Sequence, residues 1–182
     1  MRVVKLGGSL FENTPENFFA CLAHIASQTS PTIVVCGGGA FADCVRHAQS
    51  QWHFSDVCAH EMAILAMQQT AMMTQNLFPV FALLTSVHAM PYPHLAIWSP
   101  SIEELNADCV RASWDITSDS LAAWLANQVQ ATQLHVVKAC EVDPDTPLDE
   151  LVQKGIVDVQ FAHFVKNASF NVTIWGASAF LN

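Results

Sequence analysis

Two lysines in this 182-residue chain stand where ammonium groups are costly to place. Lys5 lies inside the apolar run Val3-Val4-Lys5-Leu6, and Lys138 closes the run Leu134–Val137. Each run predicts a short buried strand, and a buried ammonium needs an anionic partner beside it. Gly7-Gly8-Ser9 follows the first strand directly. Gly37-Gly38-Gly39 follows a second one, Thr32–Cys36. Glycine turns let backbone N–H groups close on an anion, and a helix starting after such a turn adds its positive dipole end. A lone glycine triplet can also be no more than a tight strand-to-helix turn. Two such turns on neighbouring parallel strands would face each other across the strand ends, where α/β sheets bind ligands. The stretch Trp114-Asp115-Ile116-Thr117-Ser118-Asp119-Ser120 adds carboxylates at the start of a helix, where either aspartate can equally be a cap. Ammonium groups, N–H groups and a carboxylate that positions the cations are what phosphoryl transfer requires.

Other chemistries find less support. There is no G-x-G-x-x-G and no G-x-x-x-x-G-K-[ST], so neither a dinucleotide fingerprint nor a Walker loop is present. Ser9 lacks the G-x-S-x-G surroundings of a nucleophile elbow. His60-Glu61 begins like a zinc-protease helix, but Ile64 stands where the second histidine belongs, and no side-chain cluster has metal-ligand spacing. The six cysteines show no C-x-x-C pair and read as buried free thiols in a reducing compartment. A net charge of −9 with seven basic residues excludes a basic stripe for nucleic acid. The longest apolar stretch, Met62 to Met73, is broken by Gln68, Gln69 and Thr70, short of the roughly 18 residues a membrane span needs. With no leader pattern at the N-terminus, a cytoplasmic protein is expected.

The elements that must hold these residues alternate. Helices are expected over Pro15–Ser27, Ala40–Gln51, Asp56–Leu77, Leu121–Val129, Leu148–Lys154 and Val159–Asn167, with a helical turn at Ile102–Leu105. Further strands are expected at Val80–Leu84, Gln133–Lys138 and Asn171–Trp175. Ser86–Ser99, rich in proline, reads as irregular, either a substrate loop or a stiffened connection. Cys140–Pro147 reads as a polar loop. His60, in the first turn of the longest helix, is either a core histidine or a substrate contact at the mouth of the site. That helix is apolar almost all round, which suits deep burial or a homodimer interface. The alternation predicts an α/β fold with a mostly parallel sheet covered on both faces.

Three blocks carry a family resemblance: Val4-Lys5-Leu6-Gly7-Gly8-Ser9, Cys36-Gly37-Gly38-Gly39-Ala40-Phe41-Ala42-Asp43, and Thr117-Ser118-Asp119-Ser120-Leu121-Ala122-Ala123. In this order they resemble the amino acid kinase family, which includes acetylglutamate, aspartate, uridylate and isopentenyl phosphate kinases. The resemblance implies a three-layer αβα sandwich over residues 1–182, with an acceptor half to about residue 112 and a nucleotide half beyond it. It implies phosphorylation of a carboxylate or phosphate oxygen by ATP with Mg²⁺. Lys5 would stabilise the transferred group, Asp119 would organise the lysines, and Gly7, Gly8, Ser9, Gly37, Gly38 and Gly39 would line the phosphate pockets. Ser118, Cys140 and Asp143 would face the nucleotide. His60–Met67 and Ser113–Asp119 are similar to a small subgroup that phosphorylates a furan-methyl monophosphate for methanofuran-type one-carbon cofactors. On that likeness His60, Trp114 and Asp115 would meet the acceptor, Trp114 by stacking and Asp115 by pairing with an aminomethyl group. Two departures stand out. Gly155-Ile156-Val157-Asp158 has no following lysine before Lys166, which makes Lys138 the candidate for the missing charge. Val142-Asp143-Pro144-Asp145 replaces the usual aspartate-glycine-aromatic loop. Alternatives are a carboxylate kinase or a non-catalytic nucleotide- or anion-binding protein on the same fold.

Overall fold

The computed structural model describes residues 1–143 and 145–182, so the Pro144 position of the 140–147 loop lies outside the described residues. Six strands form one parallel sheet: β1 (Arg2–Leu6), β2 (Thr32–Cys36), β3 (Ala82–Leu84), β4 (Leu95–Trp98), β5 (Gln133–Lys138) and β6 (Asn171–Gly176). Their order is β3-β4-β2-β1-β5-β6, and every pairing is parallel. The central strand β1 is therefore hydrogen-bonded on both sides, to β2 and to β5.

Side chains of β1 alternate between two cores, as the period-2 geometry of a strand requires. Val4 and Leu6 pack on one face with Phe18, Leu22 and Ile25 of helix α2 (Pro15–Ser27). Those helix positions repeat at i, i+4 and i+7, and Pro15 opens the helix where its missing N–H costs nothing. Helices α1 (Gly8–Asn13) and α9 (Ala177–Leu181) add Leu10 and Ala177 to this layer. Val3 points to the opposite face, with Ile64 and Met67 of α4 (Asp56–Leu77) and Leu121 and Leu125 of α6 (Ser118–Gln128). Each large side chain buried in these layers contributes about 1.5–3 kcal/mol. The three-layer αβα sandwich is thus observed as expected.

Helix α3 (Gly39–Trp52) packs against α4 and α1, and α5 (Ile102–Ala107) sends Leu105 into the core that holds Ile64 and Met67. Towards the C-terminus lie α7 (Leu148–Gln153) and α8 (Phe161–Val165). Four parts of the sequence reading change. The Ser86–Ser99 stretch is not wholly irregular, because Leu95–Trp98 is fully buried and pairs between β2 and β3. Gly8-Ser9 is not a simple turn but the start of α1. The Val159–Asn167 helix is confined to Phe161–Val165, and the Val80–Leu84 strand to Ala82–Leu84. Among the described residues, no helix is long and apolar enough to cross a membrane.

Candidate active site

The register brings the two lysines together. Lys5 sits opposite Val136 of β5, and Lys138 lies two residues further along that strand. A two-residue step keeps a side chain on the same face of a sheet. This face is also covered by α6, whose first turn carries Asp119. Lys5 Nζ stands 2.6 Å from Asp119 Oδ1 and Lys138 Nζ 2.6 Å from Oδ2. The Lys138 contact is a directed hydrogen bond, whereas Lys5 makes an ion pair off that line. Lys5 and Asp119 are both 3% exposed, so the carboxylate is the anionic partner that the buried ammonium demanded. Burial pushes the Asp119 carboxyl up, but the two ammonium groups outweigh it and hold it below the ordinary range. Burial and the neighbouring Lys5 charge push Lys138 down to about 8, against the pull of Asp119 and Asp158.

Asp119 is itself held by its helix start. Thr117 caps α6. Asp158, from the loop before α8, accepts hydrogen bonds from Thr117 N at 2.9 Å, Thr117 Oγ1 at 2.9 Å and Ser120 N at 3.0 Å. Ser120 Oγ also donates to Asp158. A carboxylate at a helix N-terminus satisfies the orphan N–H groups there and complements the dipole. Asp158 thereby fixes the turn that aims Asp119 at the lysines.

The two glycine turns meet across the strand ends. A Cβ on Gly8 would lie 2.8 Å from Gly39 N, and one on Gly37 would lie 2.7 Å from Gly8 N. Glycine is required because backbone packs on backbone, and Gly39 adds a left-handed φ of +50°. Gly7 N donates to Val137 O and Gly37 N to Leu6 O, which extends the sheet ladder past both strand ends. Neither of these two amides is free for a phosphate oxygen, in contrast to the sequence reading of Gly7 and Gly37.

A cavity of about 490 Å³ opens above this cluster. Lys5, Lys138 and Asp119 line it together with Gly8, Ser9, the glycine triplet and Ser118, whose Oγ is 3.2 Å from where a Cβ on Gly37 would stand. His60 and Trp114 close the end near α4. His60 is buried, which lowers its pKa, with the Ser113 backbone and Glu61 opposing. One face of Trp114 is covered by the Arg46 guanidinium, 3.9 Å from the ring centroid. Four expected site residues do not line the cavity: Gly7, Asp115, Cys140 and Asp143. Asp115 Oδ2 lies 3.6 Å from Arg111 on an exposed edge. Cys140 is exposed, and Asp143 accepts from the Asp145 amide within its own loop.

Four charged wall residues escaped the sequence reading as site residues: Glu12, Asp43, Arg46 and Asp158. Two were within reach of it. Gly39, Ala42, Asp43 and Arg46 recur at i, i+3, i+4 and i+7, so one face of α3 continues the glycine turn into the cavity. Asp158 contacts α6 from 38 residues away, and no local spacing announces it. Among the described residues no group of three metal-ligating side chains occurs.

Comparison with known proteins agrees with this geometry. The chain is 27% identical over 146 residues to a [5-(aminomethyl)furan-3-yl]methyl phosphate kinase of Methanocaldococcus jannaschii, covering 79% of this chain and 67% of that protein. Uridylate kinase from Archaeoglobus fulgidus shares the fold with a TM-score of 0.72 at 19% identity, over 100% of this chain and 94% of that one. UMP kinase from Ureaplasma parvum does so with a TM-score of 0.71 at 13% identity, over 99% and 91%. The model of the family described as "Amino acid kinase family" matches residues 1–143, from the first lysine strand through α6 to the end of the second. That match takes in all three members of the lysine–aspartate–lysine cluster, and the chain belongs to the amino acid kinase family.

Proposed function

We propose that this kinase transfers the γ-phosphoryl group of ATP to the phosphate of an (aminomethyl)furan-methyl monophosphate, giving a diphosphate. A phosphate oxygen of the acceptor attacks Pγ, the bond from Pγ to the bridging oxygen breaks, and ADP leaves. The observation that carries this reading is the pair of ammonium groups held by one carboxylate in the cavity lining. Such preorganised cations stabilise charge on the moving group without rearranging during the reaction. The apolar wall of Val152, Ile156 and Val157 fits a nucleotide base. The kinship with a furan-methyl phosphate kinase supports the acceptor.

Both oxygens of Asp119 are engaged by lysines, which makes it the counter-anion of that pair. Glu12, Asp43 and Asp158 are the carboxylates on the wall that would meet a hydrated Mg²⁺ carried by the phosphates. When bound, that ion neutralises charge on the phosphoryl oxygens. A cytoplasmic homodimer is part of the proposal. It is supported by six free thiols and by Leu65 and Met72, one heptad apart and exposed on α4.

The test is turnover with purified protein, ATP and Mg²⁺, reading ADP release and diphosphate formation by phosphorus NMR. The furan phosphate should be consumed in preference to UMP and to aspartate or N-acetylglutamate. Turnover confined to the carboxylates would replace the acceptor class. Binding of ATP with no turnover on any acceptor would overturn the enzymatic reading.

A further inference from the structure

Arg46 is a cation in the cavity with no role in the lysine–aspartate cluster. It lies seven residues into α3 after Gly39, about 10 Å along the helix axis. Helical side chains lean back towards the N-terminus, which sends this one towards the glycine turn. Its guanidinium carbon lies over the Trp114 ring, 3.9 Å from the centroid. Trp114 is in turn fixed from behind. Its Nε1 donates to Gln49 Oε1 at 2.6 Å, and Gln49 Nε2 donates to Asp56 Oδ1 at 2.9 Å and to Phe54 O at 3.2 Å. Residues of α3, of the start of α4 and of the loop before α6 thus combine to hold one indole plane, and that plane holds the arginine. Asp43 Oδ1 approaches only the Nε edge of Arg46, at 3.8 Å. Among the described residues, no acceptor takes a hydrogen bond from its two Nη groups.

A stacked guanidinium with a free Nη edge is a preorganised fork for a bidentate oxyanion. Lys5 and Lys138 are committed to Asp119 and to the migrating group. An acceptor that is itself a phosphomonoester brings a second anion into the same cavity, and that anion needs its own cation. We infer that Arg46, pinned on Trp114, is the specificity-determining residue that grips the acceptor's own phosphate and selects phosphomonoesters over uncharged acceptors. This rests on the phosphate-acceptor reading above. It also reassigns Trp114 from stacking on the acceptor ring to supporting the arginine.

The test separates acceptor from nucleotide. Calorimetric titration without ATP, using furan-methyl phosphate, its dephosphorylated alcohol and UMP, is combined with steady-state kinetics. Arg46→Lys keeps the charge but loses the fork and the stacking. Its affinity for whichever phosphomonoester the wild type binds should fall about tenfold or more. Its KM for ATP should stay within twofold, and the preference for phosphate over alcohol should shrink by the same factor as the affinity. Trp114→Phe keeps a ring face but loses the Gln49 bond, so a smaller loss in the same direction is expected. Because Arg46 is about half exposed, these variants should retain the wild-type melting profile, which a thermal scan checks. If Arg46→Ala binds the phosphomonoester as tightly as the wild type, the inference is overturned. If the wild type binds UMP but ignores the furan phosphate, the acceptor assignment fails while the role of Arg46 is still decided on UMP. If the wild type binds no phosphomonoester, both fall.

Discussion

A single carboxylate, Asp119, is what allows two buried ammonium groups to face one cavity. Replacing it by asparagine leaves both charges unpaired in a region from which water is largely excluded. Breaking a buried ion pair from one side costs about 3–5 kcal/mol, which in a chain of this size lowers the melting temperature by on the order of 10 °C. Asp119→Asn should show that loss together with a drop in kcat of about 100-fold or more, since an electrostatic stabiliser of the moving group goes astray. Retained kcat in a folded Asp119→Asn protein would remove the cluster from the chemistry. Lys138 makes a separate prediction in pH. Its charge is held until about pH 8, not until the ordinary 10.5, because burial and Lys5 disfavour the protonated form. On the proposed role of Lys138 the protonated form is the active one, so kcat/KM should be flat below that value and fall as pH rises through about 8. Lys138→Arg should keep its charge and shift the alkaline limb upward, although with a lower plateau because the guanidinium fork does not reproduce a point charge. An alkaline limb that stays in place in Lys138→Arg would assign the titration to another group. The carboxyl acts in the opposite sense. Because Asp119 is held below the ordinary 3.8, its contribution to stability is in place above that pH and is lost as pH falls through its lower folded value.

Between elements, the decisive contact is that of the two glycine turns, and the seven glycines are not equivalent. A Cβ at Gly37 would meet Gly8 N at 2.7 Å and Gly8 Cα at 3.1 Å, both backbone atoms that no rotamer change can move. Gly37→Ala therefore has to part the ends of β1 and β2. It should cost about 1–3 kcal/mol as overpacking does, and lose most of its kcat because Lys5 is carried on the displaced strand. Gly155 is the contrasting case. No atom lies within 4 Å of an added Cβ, but φ is +66°, so Gly155→Ala should cost only the left-handed penalty of about 1–2 kcal/mol and keep its kcat, any change falling on the KM for ATP because Gly155 lines the cavity beside Ile156. Denaturant titration with kcat on both variants checks this, and equal activity losses would contradict it. The same contrast explains what could be read in advance. β2 and β5 were legible to the residue, β2 as a β-branched run between Pro31 and the glycine triplet, β5 as an apolar stretch interrupted by His135 and closed by Lys138. Helix α2 was legible too, from its proline start and its apolar face. β4 was not, because Leu95–Trp98 is a four-residue run hidden among Pro91, Pro93 and Pro100, and only its slot between β2 and β3 makes it a strand. Helix α1 was masked by the glycines that open it. Of the candidate site, Lys5 and Lys138 were legible because charge in an apolar run is costly on its face, and Asp119 as a carboxylate at a helix start within a family-like block. Asp158 was not, because its hydrogen bonds span some forty residues and leave no local trace.

At the scale of the molecule, charge is distributed against its own ligands. The chain carries −9, yet three of its seven basic residues, Lys5, Arg46 and Lys138, line one cavity. Four carboxylates line it as well, from Glu12, Asp43, Asp119 and Asp158, so the cavity keeps a formal excess of one negative charge. The low-dielectric walls sharpen this balance, since charges there are screened less than at the surface. A naked triphosphate would meet cations in the cavity but a net repulsion on entry, and a phosphomonoester acceptor would add to it. On the proposed function, a divalent ion carried in by the nucleotide would offset that repulsion, whereas one held by Glu12, Asp43 and Asp158 would have to be in place beforehand. Thermal unfolding distinguishes the two arrangements. Mg²⁺ alone should leave the melting temperature unchanged. ATP with Mg²⁺ at about 100 times its dissociation constant should stabilise by about 2.7 kcal/mol, a rise of roughly 5–10 °C for a domain of this length. ATP with a chelator should give only a small part of that rise at the same concentration. A full rise without the metal would mean that Lys5, Lys138 and Arg46 suffice to hold the nucleotide, and a rise with the metal alone would mean that Glu12, Asp43 and Asp158 bind the ion before any phosphate enters.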